Sequence, residues 1–249
     1  MNILCIIPAR MGSSRFPGKP MEKILGVPMI EHVYQRVSMN TTLTTTIVAT
    51  CDDVIVDHLN SIGGRAIMTG MHHERASDRC AEALLIVEAE DKCVYDIVVM
   101  VQGDEPMVNP EMINEALGPM LIDQSILVTN LLGEINTDEE FDDRNCIKTV
   151  IDRNYNALYF SREPIPTRAL GVNKPMGKQI CIIPFRREFL LQYIQLSPTP
   201  LEIAESIDMM RVLENGLKVR MVPTKFNTKA VDTEEDRLVV ESLLGSGSI

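Results

Sequence analysis

Short β-branched runs recur through the first half of the chain with amphipathic segments between them, and no other feature constrains the fold as tightly. Strands are expected near residues 3–7, 45–50, 65–68 and 96–101, and helices over 28–38, 53–61 and 77–90. Strands that return after a helix imply right-handed βαβ crossovers and a parallel sheet. In such sheets ligands bind outside the carboxyl ends of the strands. The loop in "IIPARMGSSRFPGKP" (residues 6–20), "TCDD" (50–53) and "QGDEP" (102–106) all leave predicted strands at that edge.

After Leu121 the pattern changes. Strand-like pieces at 126–132, 147–151, 157–160 and 179–185 have fewer helices between them, which implies a mixed sheet or an antiparallel excursion. Residues 162–177, with Pro164, Pro166, Gly171, Pro175 and Gly177, read as a mobile loop. A helix over 200–215, a strand over 218–222 and a helix over 233–244 follow, and the tail 245–249 is expected to fray. No repeat and no linker-like change of composition divides the chain. The expectation is one α/β domain over 1–249: a mostly parallel central sheet flanked by helices, with a smaller mixed-sheet excursion.

A net charge of −11 opposes binding to nucleic acid or an anionic membrane, so an anionic ligand requires a local basic cluster. No apolar run reaches the roughly 18 residues of a membrane span, and the first apolar stretch is too short for a signal peptide. A cytoplasmic protein is expected. The six cysteines show no metal-binding spacing and read as small core residues in a reducing compartment.

The opening loop supplies such a cluster. Arg10, Arg15 and Lys19 accompany Gly12, Ser13, Ser14 and Gly18, and successive backbone N–H groups beside cations suit a triphosphate. It is not a Walker A loop, because Pro20 stands where Ser or Thr would follow the lysine, and it is not GxGxxG. The competing reading is a solvated basic turn. In "VQGDEP", Asp104 lies just beyond a hydrophobic strand and is a candidate ligand for Mg²⁺, with Asp232 of "AVDTEED" as a second acid. Their competing readings are a turn residue and a helix start. His72 and His73 diverge as neighbours on any regular element and read as structural. Ser161 and Arg162, at the end of a predicted strand, suit a substrate carboxylate, with Arg168 placed to close over it.

Taken in order, "IIPARMGSSRFPGKP", "VQGDEPMV", "ALYFSREPIP" and "VDTEED" resemble the CMP-Kdo synthetase family, the 3-deoxy-manno-octulosonate cytidylyltransferases. The similarity covers nearly the whole chain. It implies a nucleotide-diphospho-sugar transferase type of fold and a homodimer. The implied reaction couples CTP to the anomeric hydroxyl of a 2-keto-3-deoxy sugar acid, releases pyrophosphate and feeds a surface glycan such as lipopolysaccharide. By matching position, Arg10, Arg15 and Lys19 would bind the CTP phosphates, with Gly12 and Ser13 beside them. Asp104 and Asp232 would hold Mg²⁺, and Arg79 and Gln102 would lie near the nucleotide or the sugar.

The chain departs from the family on the sugar side. "RASDR" puts Arg75 where the family has a small polar residue, "QICII" puts Gln179, Cys181 and Ile183 on the sugar-contacting strand, and "SIDMMR" offers Asp208 and Met209. Apolar residues at 183 and 209 would leave sugar hydroxyls without partners, at about 1–3 kcal/mol each. The expectation is therefore an acceptor other than ordinary Kdo, such as an amino-substituted octulosonate, a nonulosonate or a phosphonate, with Kdo itself as the alternative if other residues compensate. Two further classes compete, a nucleotide-binding protein without catalysis and a glycosyltransferase using "TCDDV" as its metal element.

Overall fold

A strand buried on both faces of a parallel sheet has no place for polar side chains, and the first strand obeys this: Leu4, Cys5, Ile6 and Ile7 have no exposed surface. The computed structural model describes residues 1–13, 15–168 and 176–246, and contacts gather in two compact units, 1–114 with 228–249 and 115–227. Gly171, Pro175 and the end of the tail, 247–249, lie outside the described residues.

The first unit opens with β1 (Ile3–Pro8), a small hairpin of β2 (Lys23–Ile24) and β3 (Val27–Pro28), and α1 (Met29–Ser38). β4 (Thr45–Thr50), α2 (Asp53–Ser61), β5 (Ala66–Met68), α3 (Ala76–Asp91) and β6 (Ile97–Val101) follow, and α4 (Pro110–Ile122) begins in this unit and continues into the second. The strands lie in the order β6, β1, β4, β5, all parallel. Buried Ile30, Val33 and Val37 of α1 and Ile55 and Leu59 of α2 recur at helical spacing, forming stripes that cover strands. The predicted βαβ order is observed within one or two residues at most boundaries.

The second unit holds β7 (Thr129–Gly133), α5 (Asp138–Asp142), β8 (Lys148–Ile151), β9 (Ala157–Ser161), β10 (Met176–Ile180), β11 (Ile182–Arg186), α6 (Arg187–Tyr193), α7 (Pro200–Glu205), α8 (Met209–Glu214) and β12 (Arg220–Pro223). Its mixed sheet runs β12, β7, β10, β8, β9, with only the β12–β7 pair parallel. The chain then closes the first unit with α9 (Glu234–Gly245). β10 lies so close to β7 that a Cβ on Gly177 would stand 2.3 Å from the Gly133 carbonyl, so only glycine fits there.

Three expectations need correction. The strand over 179–185 is two strands broken at Cys181, inside an apolar run with no breaker to reveal the bend. The helix over 200–215 is two helices, because Ser206 turns left-handed (φ 54°) without a glycine. Gly245, expected to fray, completes the last turn of α9. The sequence reading also contains no element for α4, whose Pro119 lies inside the helix, or for the short α5 and α6. Cys5 and Cys80 are buried and the other four cysteines half-buried, all as free thiols. Among the described residues no helix is long and apolar enough to cross a membrane.

α7 and α8 are joined by a buried ion pair. Arg211 donates to both Glu202 oxygens at 2.7 and 2.6 Å, and its guanidinium lies 4.7 Å from the Tyr193 ring centre. With the two side chains 3% and 0% exposed, losing one partner strands a charge in a dry site. Arg211→Met should cost about 3–5 kcal/mol in urea unfolding, and adding Glu202→Leu should recover most of the loss.

Candidate active site

The loop after β1 is folded onto a single peptide unit. The Met11 carbonyl accepts the N–H groups of Ser13 (2.9 Å) and Gly18 (3.0 Å), and Gly18 takes the left-handed conformation this closure needs (φ 78°). A short 3₁₀ turn, Lys19–Met21, follows. Beneath it, Phe16 packs on a cluster of Ile24, Met29, Met107, Val231 and Val240. That cluster gathers the three segments that carry the candidate residues: Phe16 belongs to the basic loop, Met107 follows Asp104, and Val231 precedes Asp232. The Val231 N–H also donates to the Asp104 carbonyl at 2.9 Å.

Both carboxylates therefore arrive at one point. The Lys19 ammonium donates to Asp104 Oδ2 (2.7 Å), Asp232 Oδ1 (3.2 Å) and the Val231 carbonyl (3.1 Å). The side chains of Lys19, Asp104 and Asp232 are only 14, 18 and 15% exposed. The more exposed Arg15 donates to Asp232 Oδ1 at 2.9 Å. Burial works against the charge on Lys19, but the two carboxylates outweigh it and raise the pKa above the ordinary lysine value.

Neither aspartate is used up by local structure. α9 is capped by Thr233 and Asp236, each side chain accepting the other's backbone N–H, so Asp232 stands just outside the cap and its carboxylate is left to the cations. Asp104 turns to Lys19 instead of closing its own turn. The loop bearing Asp104 passes close to β1: a Cβ on Gly103 would lie 3.0 Å from the Pro8 carbonyl.

The first unit also carries the remaining residues predicted for the nucleotide. Arg10 is exposed and reaches the His73 carbonyl at 3.4 Å. Gly12 is exposed, with nothing within 4 Å of an added Cβ, and Ser13 is half-buried. Arg79 is buried and donates to the Thr69 hydroxyl and to Cys51 Sγ (3.5 Å). Gln102 is half-buried just past β6, and Arg75 is the half-buried N-cap residue of α3. His73 pairs with Glu82, which also accepts the Gly70 N–H at 3.0 Å. Burial raises the Glu82 pKa, but these hydrogen bonds and the nearby imidazoles bring it below the usual glutamate value.

The residues predicted for the acceptor lie in the second unit, apart from Arg75 and Gln102, and several have other occupations. The Arg162 guanidinium donates to the carbonyls of Glu205 (2.7 Å), Arg144 (2.9 Å) and Ser206 (3.4 Å). In this arrangement it clamps backbone. Arg168 bridges Asp138 (3.0 Å) and Asp142 (2.9 Å) above the Phe141 ring. Gln179 donates to Asn130 Oδ1 at 2.6 Å, and the Asp208 carbonyl accepts the Tyr193 hydroxyl at 2.9 Å. Ile183 and Met209 are 2% and 0% exposed. In this arrangement both belong to the core.

Sequence reasoning cited Asp52 only within "TCDDV", the metal element of the competing glycosyltransferase reading, and missed that its carboxylate accepts the Met11 N–H at 2.8 Å. Its position in "TCDD" at the ligand edge was the available signal.

A family model described as cytidylyltransferase matches residues 4–220. The chain belongs to the cytidylyltransferase family. It is 41% identical to the 3-deoxy-manno-octulosonate cytidylyltransferase of Geobacter metallireducens, covering 98% of each chain. With the enzyme of the same name from Geotalea daltonii it shares 42% identity over 95% of each. A solved structure of CMP:2-keto-3-deoxy-manno-octonic acid synthetase complexed with CTP matches with a TM-score of 0.89 and 34% identity, over 99% of this chain and 100% of that one. The α/β fold type implied by the motifs is the fold observed.

Lys19, with its raised pKa, contributes stability that is fully present below the unfolded lysine value and is lost as pH climbs through the folded one. Urea midpoints of wild type and Lys19→Met should differ by a constant amount from pH 7 to about 10 and converge above that. A difference that shrinks already near neutrality would refute the ion-pair assignment.

Proposed function

We propose that the protein transfers CMP from CTP to the anomeric hydroxyl of 3-deoxy-manno-octulosonate (Kdo), releasing pyrophosphate. The observation that carries this reading is the convergence of Asp104, Asp232 and Lys19 beside a loop bearing Arg10 and Arg15. The relatives at about 40% identity, named for this sugar acid, support the acceptor.

Mg²⁺ is the proposed cofactor, and the donor set suits it. Two carboxylates already share a single cationic partner at hydrogen-bond distance, and a hard cation that takes oxygen ligands favours one or two carboxylates completed by substrate phosphates. Asp104 and Asp232 would hold the ion, which supplies charge neutralisation at the phosphates when bound. The chain's own contribution is electrostatic. The acceptor hydroxyl oxygen attacks the α-phosphorus, the bond to the β-phosphate oxygen breaks, and the hydroxyl proton passes to solvent. Both reactants are anionic, so Arg10, Arg15 and Lys19 lower the barrier by meeting the negative charge on the triphosphate and on departing pyrophosphate. Gly12 offers its backbone N–H to the same phosphates, while the Ser13 N–H is given to the Met11 carbonyl that closes the loop.

Kdo is preferred over a modified acid because burial of Ile183 and Met209 removes the reason for expecting unpartnered sugar hydroxyls there. We place the enzyme in the cytoplasm as a homodimer supplying an activated sugar for lipopolysaccharide.

Pyrophosphate release should require CTP, Mg²⁺ and Kdo together, and Asp104→Asn or Asp232→Asn should lower kcat by about a hundredfold or more. Release only with 8-amino-Kdo, a nonulosonate or a phosphonate would replace the acceptor. CTP binding without release for any acid would overturn catalysis itself.

A further inference from the structure

Asp52 stands at the N-cap of α2, where an aspartate ordinarily accepts an N–H of its own helix and contributes about 1 kcal/mol. Here it makes no such bond. Its carboxylate instead accepts the Met11 N–H at 2.8 Å, 41 positions away in sequence. A cap forgone for a distant loop is a local rule broken in favour of something else.

That something is the peptide unit on which the basic loop is folded. The Met11 carbonyl collects the N–H groups of Ser13 and Gly18, while its N–H is held by Asp52. Just before it, the Ala9 N–H donates to the Ala49 carbonyl at 3.0 Å and continues the β1–β4 ladder. Asp52 thus extends that ladder by a side chain beyond the end of the strand, past Arg10. Asp52 is itself located by its own N–H, which donates to Thr50 Oγ1 at 3.2 Å. The Thr50 carbonyl in turn accepts the N–H (2.8 Å) and hydroxyl (3.0 Å) of Thr69, whose hydroxyl receives Arg79.

We infer that Asp52 is a positioning residue for triphosphate binding: it sets the place of the Met11 peptide, and through it the place of Arg10 and of the Gly12 N–H. It acts as a hydrogen-bond acceptor, and its charge is not required. This inference rests on the proposed use of CTP for its kinetic consequence, but not for its structural one.

Two readouts separate the two. Without any ligand, amide exchange at Met11, followed by NMR, should be about tenfold faster in Asp52→Ala than in wild type and near wild type in Asp52→Asn, which keeps an acceptor oxygen. In the pyrophosphate assay, Asp52→Ala should raise KM for CTP about tenfold with kcat at saturating CTP changed less than about twofold, and Asp52→Asn should restore KM. A merely structural lesion would instead lower the unfolding midpoint and leave KM for CTP alone. Unchanged exchange and KM in Asp52→Ala, or equal impairment in Asp52→Asn, would overturn the inference. If Asp52→Ala does not fold, Asp52→Gln, which displaces the acceptor by one methylene, is judged by the same two readouts. A wild type that releases no pyrophosphate would sink the proposed function, while Met11 exchange would still decide on Asp52.

Discussion

One ammonium group organises this site. Lys19 bonds to carboxylates 85 and 213 positions away, and neither aspartate could be held near the other at such low exposure without a cation between them. Two like charges sharing a partly desolvated point repel strongly, and a third charge of opposite sign changes the balance. A divalent ion bound at the same carboxylates would meet the same electrostatic demand. A triphosphate would provide the ammonium with other anionic partners.

The apolar cluster below makes the arrangement possible. Phe16, Met107 and Val231 come from three separated segments, and their packing with Ile24, Met29 and Val240 brings the loops together. The polar groups then refine positions that burial has made approximate. The Val231 N–H to Asp104 carbonyl bond sets the two acidic segments side by side, and the capping box of α9 takes the Asp232 N–H at 3.1 Å but leaves the Asp232 carboxylate to the cations. Asp52 adds the same kind of refinement on the other side of the loop.

Much of the first unit was legible because its signals are local. Strands such as Thr45–Thr50 and helices such as Asp53–Ser61 show their period within ten residues, and a buried parallel sheet demands unbroken apolar strands. The second unit was less legible where tertiary contacts overrode local pattern. Ser206 adopts a left-handed turn that its residue type does not advertise, and the break at Cys181 interrupts a run that reads as one strand. In the site, Asp104, Asp232, Lys19 and Arg15 were identifiable from loop position and residue type. The occupations of Arg162 and Arg168 were not, because their partners are carbonyls and carboxylates remote in sequence.

The sequence by itself determined the alternating architecture and the cation-rich loop after the first strand, since each depends on residue type and short spacing, and it offered Asp104 and Asp232 as candidates. Only the tertiary structure decided that the acids share one lysine, that Ile183 and Met209 belong to the core, and that Asp52 abandons its own helix to hold Met11. The physical reason is the same in each case. Whether a polar group meets water, a neighbour or a distant partner is settled by which surfaces pack together, and packing is a property of the whole chain.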